Sequence, residues 1–318
     1  MAEIIKQISR VPEALAGFRL DHIAVKCFPD YSRSKLQTWI KQGVLQVDGQ
    51  VYKNKDKLFG GETLSLNVEI EHEDRWEAEN ISLHVIYEDE HILVINKPAG
   101  LVVHPAAGNY SGTLLNGLLY HYPELASVPR AGIVHRLDKN TTGLMVVAKT
   151  LSAHSHLAAQ LQQRTISRDY EAVTQGVITS GGTINQPIGR HPTHRLKMAV
   201  VEGGKPSITH YIVHTRYRSH THIQVSLETG RTHQIRVHMA YIRYPLIGDT
   251  LYAGRLQIPK ACSDSLAKEL QYFNRQALHA CRLGLIHPTM NSMMTWEAPR
   301  PEDFQQLLQA LQDNQDGK

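Results

Sequence analysis

Residues 132–150 read GIVHRLDKNTTGLMVVAKT, and the two halves of this stretch follow different rules. Leu144, Met145, Val146, Val147 and Ala148 make an unbroken apolar run, partly β-branched, that reads as a buried strand. Ile133 and Val134 form a shorter apolar run upstream. Between them lies a polar loop carrying His135, Arg136, Asp138, Lys139 and Asn140, and Gly143 punctuates the return to strand. The loop presents one carboxylate, Asp138, beside cations at the rim of a sheet. An Asp near Thr and Gly commonly does no more than hold a turn, and spacing alone favours that plain role.

Upstream of this loop, helical spacing runs from Phe18 through Leu20, Ile23, Ala24, Cys27 and Phe28 until Pro29 ends it. Ser32 suits the N-cap of a second helix with Leu36, Trp39 and Ile40 on one face and Gly43 just past its end. Arg33, Lys35 and Lys41 lie off that stripe. Asp48-Gly49 predicts a hairpin between residues 44–47 and a run from Val51. Leu64, Leu66, Val68 and Ile70 alternate as a half-buried strand. The acidic, aperiodic residues 71–82 read as a linker. The first 14 residues read as a tail or short strand.

A second domain opens with residues 85–87 and the run 92–95, and Lys97-Pro98-Ala99-Gly100 reads as a turn. Thr113 caps a leucine-rich helix, and Ser152 caps another with Leu157 and Leu161 inward. Residues 168–173 are a strand in which Tyr170 is, on pattern alone, a core aromatic. Residues 190–210 are polar, basic and rich in Gly and Pro, and predict a loop or hairpin. Ile223, Val225 and Leu227 alternate as a strand, and Thr232 then caps a helix through Ile235, Met239 and Ile242. Arg236 falls within that helix beside its apolar face, where an unpaired charge is costly. It requires a carboxylate: Asp138 is the obvious partner and Asp249 the alternative. A short helix within 255–275 and a helix from Pro301 complete the chain. The resulting division is 15–75, a linker at 76–84, a main domain at 85–305 and an end at 306–318.

A length of 318 residues suits two domains, and 42% hydrophobic with 20% charged residues describes a globular protein. The net charge of +4 is mild, but its distribution is not. Between Arg190 and Arg243 there are nine Lys or Arg, eight His, and only two acids, Glu202 and Glu228, a stripe suited to a phosphate backbone. Three scattered cysteines give neither a disulfide framework nor a Cys-x-x-Cys zinc site. His191, His194, Arg195 and Lys197 lack nearby acids, which favours RNA over a divalent metal. No apolar run is long enough for a membrane span, so the expected compartment is the cytoplasm and the expected form a monomer.

HRLDKNTTG at 135–143 closely resembles the catalytic motif of the RluA family of pseudouridine synthases. GRTHQIRVHMA at 230–240 resembles that family's second motif. The resemblance runs from about Phe18 to Pro301. It implies an α+β protein whose catalytic domain has a mixed, largely antiparallel sheet with flanking helices. It also implies a catalytic set of Asp138 as nucleophile, Tyr170 against the target base and Arg236 holding the carboxylate. Residues 15–75 resemble an S4 RNA-binding domain through Arg19-Leu20-Asp21, Ser32-Arg33-Ser34, the stretch 40–47 and Asp48-Gly49, departing at Asp48 where Asn is more usual. RNA contacts are then expected from Arg136, His135, Arg33, Lys35, Lys41, His191, Arg195, Lys197, Arg231 and His233.

The implied activity is isomerisation of uridine to pseudouridine in large-subunit ribosomal RNA, or in a precursor large-subunit particle, with the uridine extruded from a stem-loop. The reaction changes no oxidation state and loses no group overall, so no cofactor and no metal is expected. The sequence holds no Gly-x-Gly-x-x-Gly fingerprint. Two rivals are a non-catalytic RNA-binding assembly factor and a metal-dependent RNA hydrolase using the histidines. Only catalysis gives a reason for Asp138, Tyr170 and Arg236 together.

Overall fold

The computed structural model describes residues 3–29, 31, 33–70, 76–106, 108–260 and 262–317, in two compact units that divide at residues 75 and 76. In the first unit, β1 (Glu3–Arg10), α1 (Leu20–Cys27), α2 (Arg33–Gln42), β2 (Leu45–Val47) and β3 (Thr63–Ile70) form a three-stranded sheet in the order β1-β3-β2 with two helices. Leu20, Ile23, Ala24, Leu36, Ile40, Leu45, Leu64 and Leu66 make its core, which is the pattern their spacing predicts. Two expectations change. The N-terminal stretch is a full antiparallel partner of β3, because Gln7↔Leu66 and its neighbours supply ladder bonds to an otherwise open edge. The Asp48-Gly49 turn forms, with Asp48 at φ 47° and Gly49 at φ 75°. Yet no strand follows it, and β2 pairs with β3 instead. Ser32 and the side chain of Lys35 lie outside the described residues.

The second unit contains, in order, β4 (Val85–Glu88), β5 (Ile92–Lys97), α3 (Leu114–His121), β6 (Thr142–Ala148), α4 (Leu151–Gln163), β7 (Ser167–Gln175), β8 (Gly182–Asn185), β9 (Ile188–Arg190), β10 (Met198–Val200), β11 (Ile208–Arg216) and β12 (His220–Leu227). There follow α5 (Gln234–Tyr241), α6 (Asp264–Tyr272), β13 (Leu278–Ile286), β14 (Met293–Glu297) and α7 (Glu302–Asp316). The main sheet runs β4-β5-β6-β13-β7-β12-β11-β8, with β14 on β13; β9 and β10 form a separate hairpin. Every pair is antiparallel except β6 with β13.

All seven residues of β6 are buried because both faces of the sheet are covered. Met145 and Val147 face one core with Leu115, Leu118, Tyr170 and Ile235. Leu144, Val146 and Ala148 face another with Leu157 and Leu285. Each fully buried Leu or Val contributes about 2 kcal/mol by leaving water. The caps differ from expectation by one or two residues. Thr150, not Ser152, accepts the Ala153 amide at the start of α4, and His233, not Thr232, precedes α5, at φ 57°. The stretch assigned to a linker belongs to this unit: Trp76 and Leu83 pack on its core, and the Asn116 side chain donates to the Glu77 carbonyl. α7 crosses the expected boundary at 305, because Leu307 and Leu311 are both core residues.

The polar loop before β6 is pinned from several directions. Lys97 Nζ donates to the Lys139 carbonyl at 2.9 Å, Arg275 to the Asn140 carbonyl at 3.4 Å, and the Gln276 amide to Thr141 Oγ1 at 2.9 Å. His135 Nε2 accepts the Val146 amide at 3.0 Å. Burial pushes this imidazole down to about 3, and the charge of Arg168 adds to the fall. Gly143 sits at φ 116°, and a Cβ there would stand 2.2 Å from the Ala280 carbonyl oxygen.

Gly143→Ala should therefore cost about 3 kcal/mol or more, from left-handed strain and a backbone collision together, read by urea denaturation. His135 gives a pH signature. The unfolded imidazole binds a proton below about 6.5 while the folded one stays neutral down to about 3, so stability must fall as pH falls across that window. Between pH 6.5 and 5 the wild type should lose up to about 1.4 kcal/mol per pH unit more than His135→Gln, whose Oε1 can still accept the Val146 amide. Equal slopes for the two proteins would show that His135 carries a proton in the folded state.

Candidate active site

Three elements converge on one cavity of about 510 Å³: the loop before β6, strand β7, and the segment 227–236 entering α5. Asp138, Tyr170 and Arg236 all line it. Period-two alternation along β7 turns Tyr170 toward this side, while the intervening Asp169 is bonded to Ser226. Tyr170 is both a core aromatic and a wall of the cavity, being 7% exposed. Burial raises its hydroxyl above the ordinary phenol range; Arg168 pulls it down and Asp138 pushes it up. The phenol is therefore neutral at physiological pH and able to donate.

Arg236 takes both of the carboxylates that its burial demanded. Its Nε and Nη2 bind Asp249 at 2.7 and 2.9 Å, a fork-to-fork pairing, and its Nη1 donates to Asp138 Oδ2 at 3.0 Å. Burial works against this charge, but hydrogen bonds and attraction from Asp249 and Asp138 overcome it and raise the guanidinium further above its ordinary value. Asp249 is itself fixed by the Leu251 and Tyr252 amides. The Tyr252 ring lies under the Arg236 guanidinium at 5.0 Å, and its hydroxyl accepts the Met198 amide at 2.9 Å.

His233 belongs with the carboxylate rather than on an outer RNA-facing surface. Its Nε2 is 3.9 Å from Asp138 Oδ1, and its Nδ1 meets the Tyr252 hydroxyl at 2.7 Å. The tautomer in which Tyr252 donates to Nδ1 turns Nε2–H toward Asp138, at a distance too long for a hydrogen bond. Burial lowers the His233 imidazole, against the pull of Asp138, so the neutral ring is favoured.

Lys97 lies outside the cavity lining but holds the loop that carries Asp138, a role that the turn-like sequence around it conceals. It is buried, and its ammonium donates to the carbonyls of Pro98, Leu101 and Lys139 at 2.7, 3.0 and 2.9 Å. Burial pulls it down to about 7, while Asp138 draws it up and Arg275 pushes it down. Its only sequence signal is a Lys directly following a buried strand. Arg168, two residues before Tyr170, lines the cavity, although in sequence it is no more than the head of a strand.

The expected RNA contacts separate into groups. Arg136 is exposed and Arg231 partly so, both lining the cavity. His135 also lines it, but its Nε2 is held by Val146 and is not free to reach RNA. His191, His194 and Arg195 are exposed or partly exposed, as is Lys197, on the β9–β10 hairpin, outside the cavity lining. In the first unit Lys41 is exposed, whereas Arg33 donates to buried Asp21 at 2.7 Å together with Arg19 and Gln37. Burial raises the Asp21 carboxyl, but these partners prevail and bring it down to about 2. Arg33 thus braces the first unit, which leaves it less free for phosphate. Among the described residues no group of three or more His, Cys, Asp or Glu is placed to hold a metal ion, and no helix is long and apolar enough to cross a membrane.

This geometry can be set beside known proteins. Residues 91–241, which include Asp138, Tyr170 and Arg236, match the family model described as RNA pseudouridylate synthase. The chain is 58% identical over 316 residues to ribosomal large subunit pseudouridine synthase D of Pseudomonas aeruginosa, covering 99% of each chain. It is 52% identical over 312 residues to the protein of the same name from Escherichia coli K12, covering 98% of this chain and 96% of the relative. Among solved structures, human RNA pseudouridylate synthase domain containing 4 superposes with a TM-score of 0.57 at 25% identity, over 72% of this chain and 93% of that one. With near-complete coverage at such identity, the chain belongs to the RNA pseudouridylate synthases, enzymes that isomerise uridine in RNA to pseudouridine.

Proposed function

We propose that this enzyme acts on uridine in large-subunit ribosomal RNA, in an unpaired loop, with Asp138 as its nucleophile. The target class follows the relatives, which are named as ribosomal large subunit pseudouridine synthases over nearly their whole length. The observation that carries the chemistry is Asp138, held by Arg236 in a cavity whose wall includes Tyr170. That cavity is lined by six Arg and only two carboxylates, Asp138 and Glu228. It is large enough for a pyrimidine nucleotide and has the charge to draw in RNA.

Isomerisation breaks the N1–C1′ bond, forms C5–C1′, sheds the proton from C5 and places one on N1. A single ionised carboxylate serves either route to this outcome: addition to the sugar or base, or loss of the base through a glycal-like species. Arg236 fixes the carboxylate's direction through the Nη1–Oδ2 hydrogen bond. The Tyr170 ring offers a face for the detached base, and its hydroxyl or a water beside it can take part in removal of the C5 proton. Arg136, exposed next to the loop, replaces stacking lost when the uridine swings out. Extrusion costs a few kcal/mol, and least in a loop, which favours an unpaired target.

The first unit serves in this reading as an S4-like RNA-binding module, with Lys41 as its exposed phosphate contact. The enzyme works as a cytoplasmic monomer on the RNA or its precursor particle, and needs no cofactor.

Large-subunit RNA transcribed with uridine tritiated at C5 tests this directly. Wild type should release tritium with or without chelator. Asp138→Asn should fall by at least about a thousandfold while binding RNA normally. Substantial turnover by Asp138→Asn would remove it as nucleophile. Tight binding without release by wild type would favour an assembly factor.

A further inference from the structure

Arg168 is the one guanidinium of the cavity that combines partial burial with a buried, unpartnered nitrogen. Its Nε is buried and has no hydrogen-bond partner, and its guanidinium makes no ion pair with any described residue. Two neighbouring guanidinium groups differ. Arg236 is saturated by Asp249 and Asp138, and Arg164 lies 3.7 Å from Glu228. Glu228 is thereby engaged, also by His210 at 2.6 Å, so neither carboxylate of the cavity is left over for Arg168.

An arginine cannot escape this by losing its proton, because its charge persists at any physiological pH. A half-buried charge with an empty donor is costly until something anionic arrives. Gly230 makes room for the guanidinium itself. The Arg168 Nη1 lies where a side chain at Gly230 would begin, 2.7 Å from the position of a Cβ there. Arg168 and Tyr170 are two apart on β7 and so face the same side, with Asp138 across the cavity.

Uracil and ribose are both uncharged at neutral pH, so the only anion the substrate brings is phosphodiester. We propose that Arg168 binds a phosphate flanking the extruded uridine, fixing the nucleotide while Tyr170 faces its base. This rests on the reading of the cavity as the uridine site. It gives a role to a residue that neither its strand position nor the cationic stripe at 190–243 singles out. A planar fork suits two phosphate oxygens at once, which lysine cannot reproduce.

The test uses a synthetic hairpin cut from large-subunit RNA around a uridine that the wild type converts. It is made with ordinary linkages or with an uncharged methylphosphonate on one side of that uridine or the other. Arg168→Met should raise KM roughly 10- to 100-fold on the ordinary RNA, with a far smaller change in kcat. Wild type should lose a similar factor on one methylphosphonate RNA, and on that RNA the wild type and Arg168→Met should become nearly equal. Arg168→Lys should recover part of the loss. Gly230→Ala displaces only the tip of the Arg168 side chain and should show the same pattern in weaker form. If Arg168→Met loses the same factor on every linkage, or loses kcat alone, the phosphate assignment is wrong while the uridine site stands. Failure of wild type to convert any uridine would instead remove the underlying reading.

Discussion

A single buried guanidinium, that of Arg236, ties together two carboxylates from distant parts of the chain, on elements that share one apolar core. One carboxylate partner, Asp249, comes from the turn after α5, and the other, Asp138, from the loop before β6. Removing one member of such a buried set typically costs about 3–5 kcal/mol, because the remaining charges lose their compensation. The sharing has a second effect. Two carboxylates on one guanidinium leave a net negative charge, so Asp138 is oriented without being fully neutralised. The surrounding arginines and Lys97 then keep that excess charge tolerable. Geometry and charge at the site are thus set by the same few bonds.

The loop that carries Asp138 is rigid for reasons that lie mostly outside it. Its carbonyls and hydroxyl are held by Lys97 from β5 and by Arg275 and Gln276 just before β13. His135 turns inward to the Val146 amide. Residues that looked available for RNA on grounds of type, such as His135 and Arg33, are spent on holding the protein in shape. Arg130 and Arg136 are exposed at the cavity, and Arg231 and Arg168 reach it as well. Histidine and arginine in a sequence announce donors and acceptors, but only packing decides who receives them.

Period and burial made the strands β5, β6, β7 and β12 and the helices α1, α2 and α3 legible, because each carries its own apolar pattern. What escaped was set by distant partners. β1 has no pattern of its own and exists because β3 has an open edge. β14 alternates too weakly to read, and is held by β13. The cap of α5 is a histidine in a left-handed conformation, uncommon for any residue but Gly even though His is among those enriched there, and its side chain makes no cap bond. The pairing of Arg236 followed from the cost of burying a charge, although sequence left two acids in competition and the fold uses both. Lys97 and Arg168 stayed hidden, one within an apparent turn and the other at the head of a strand.

Strand β13 lies between β6 and β7, and its parallel register with β6 places Ala280 against Gly143. In sequence it arrives late: 135 positions separate Asn140 from the Arg275 that binds it. At ordinary rates of synthesis that interval is roughly 7–27 seconds. For that time a nascent chain carries the Asp138 loop while lacking the strand that joins the two halves of the sheet, and α5 is made only in the last part of it. The gap between β6 and β7 exposes unpaired edges on both sides, a hazard for mispairing with other chains. The Asp138 loop is therefore completed late and all at once, when the central strand slots in and the residues that precede that strand bond the loop.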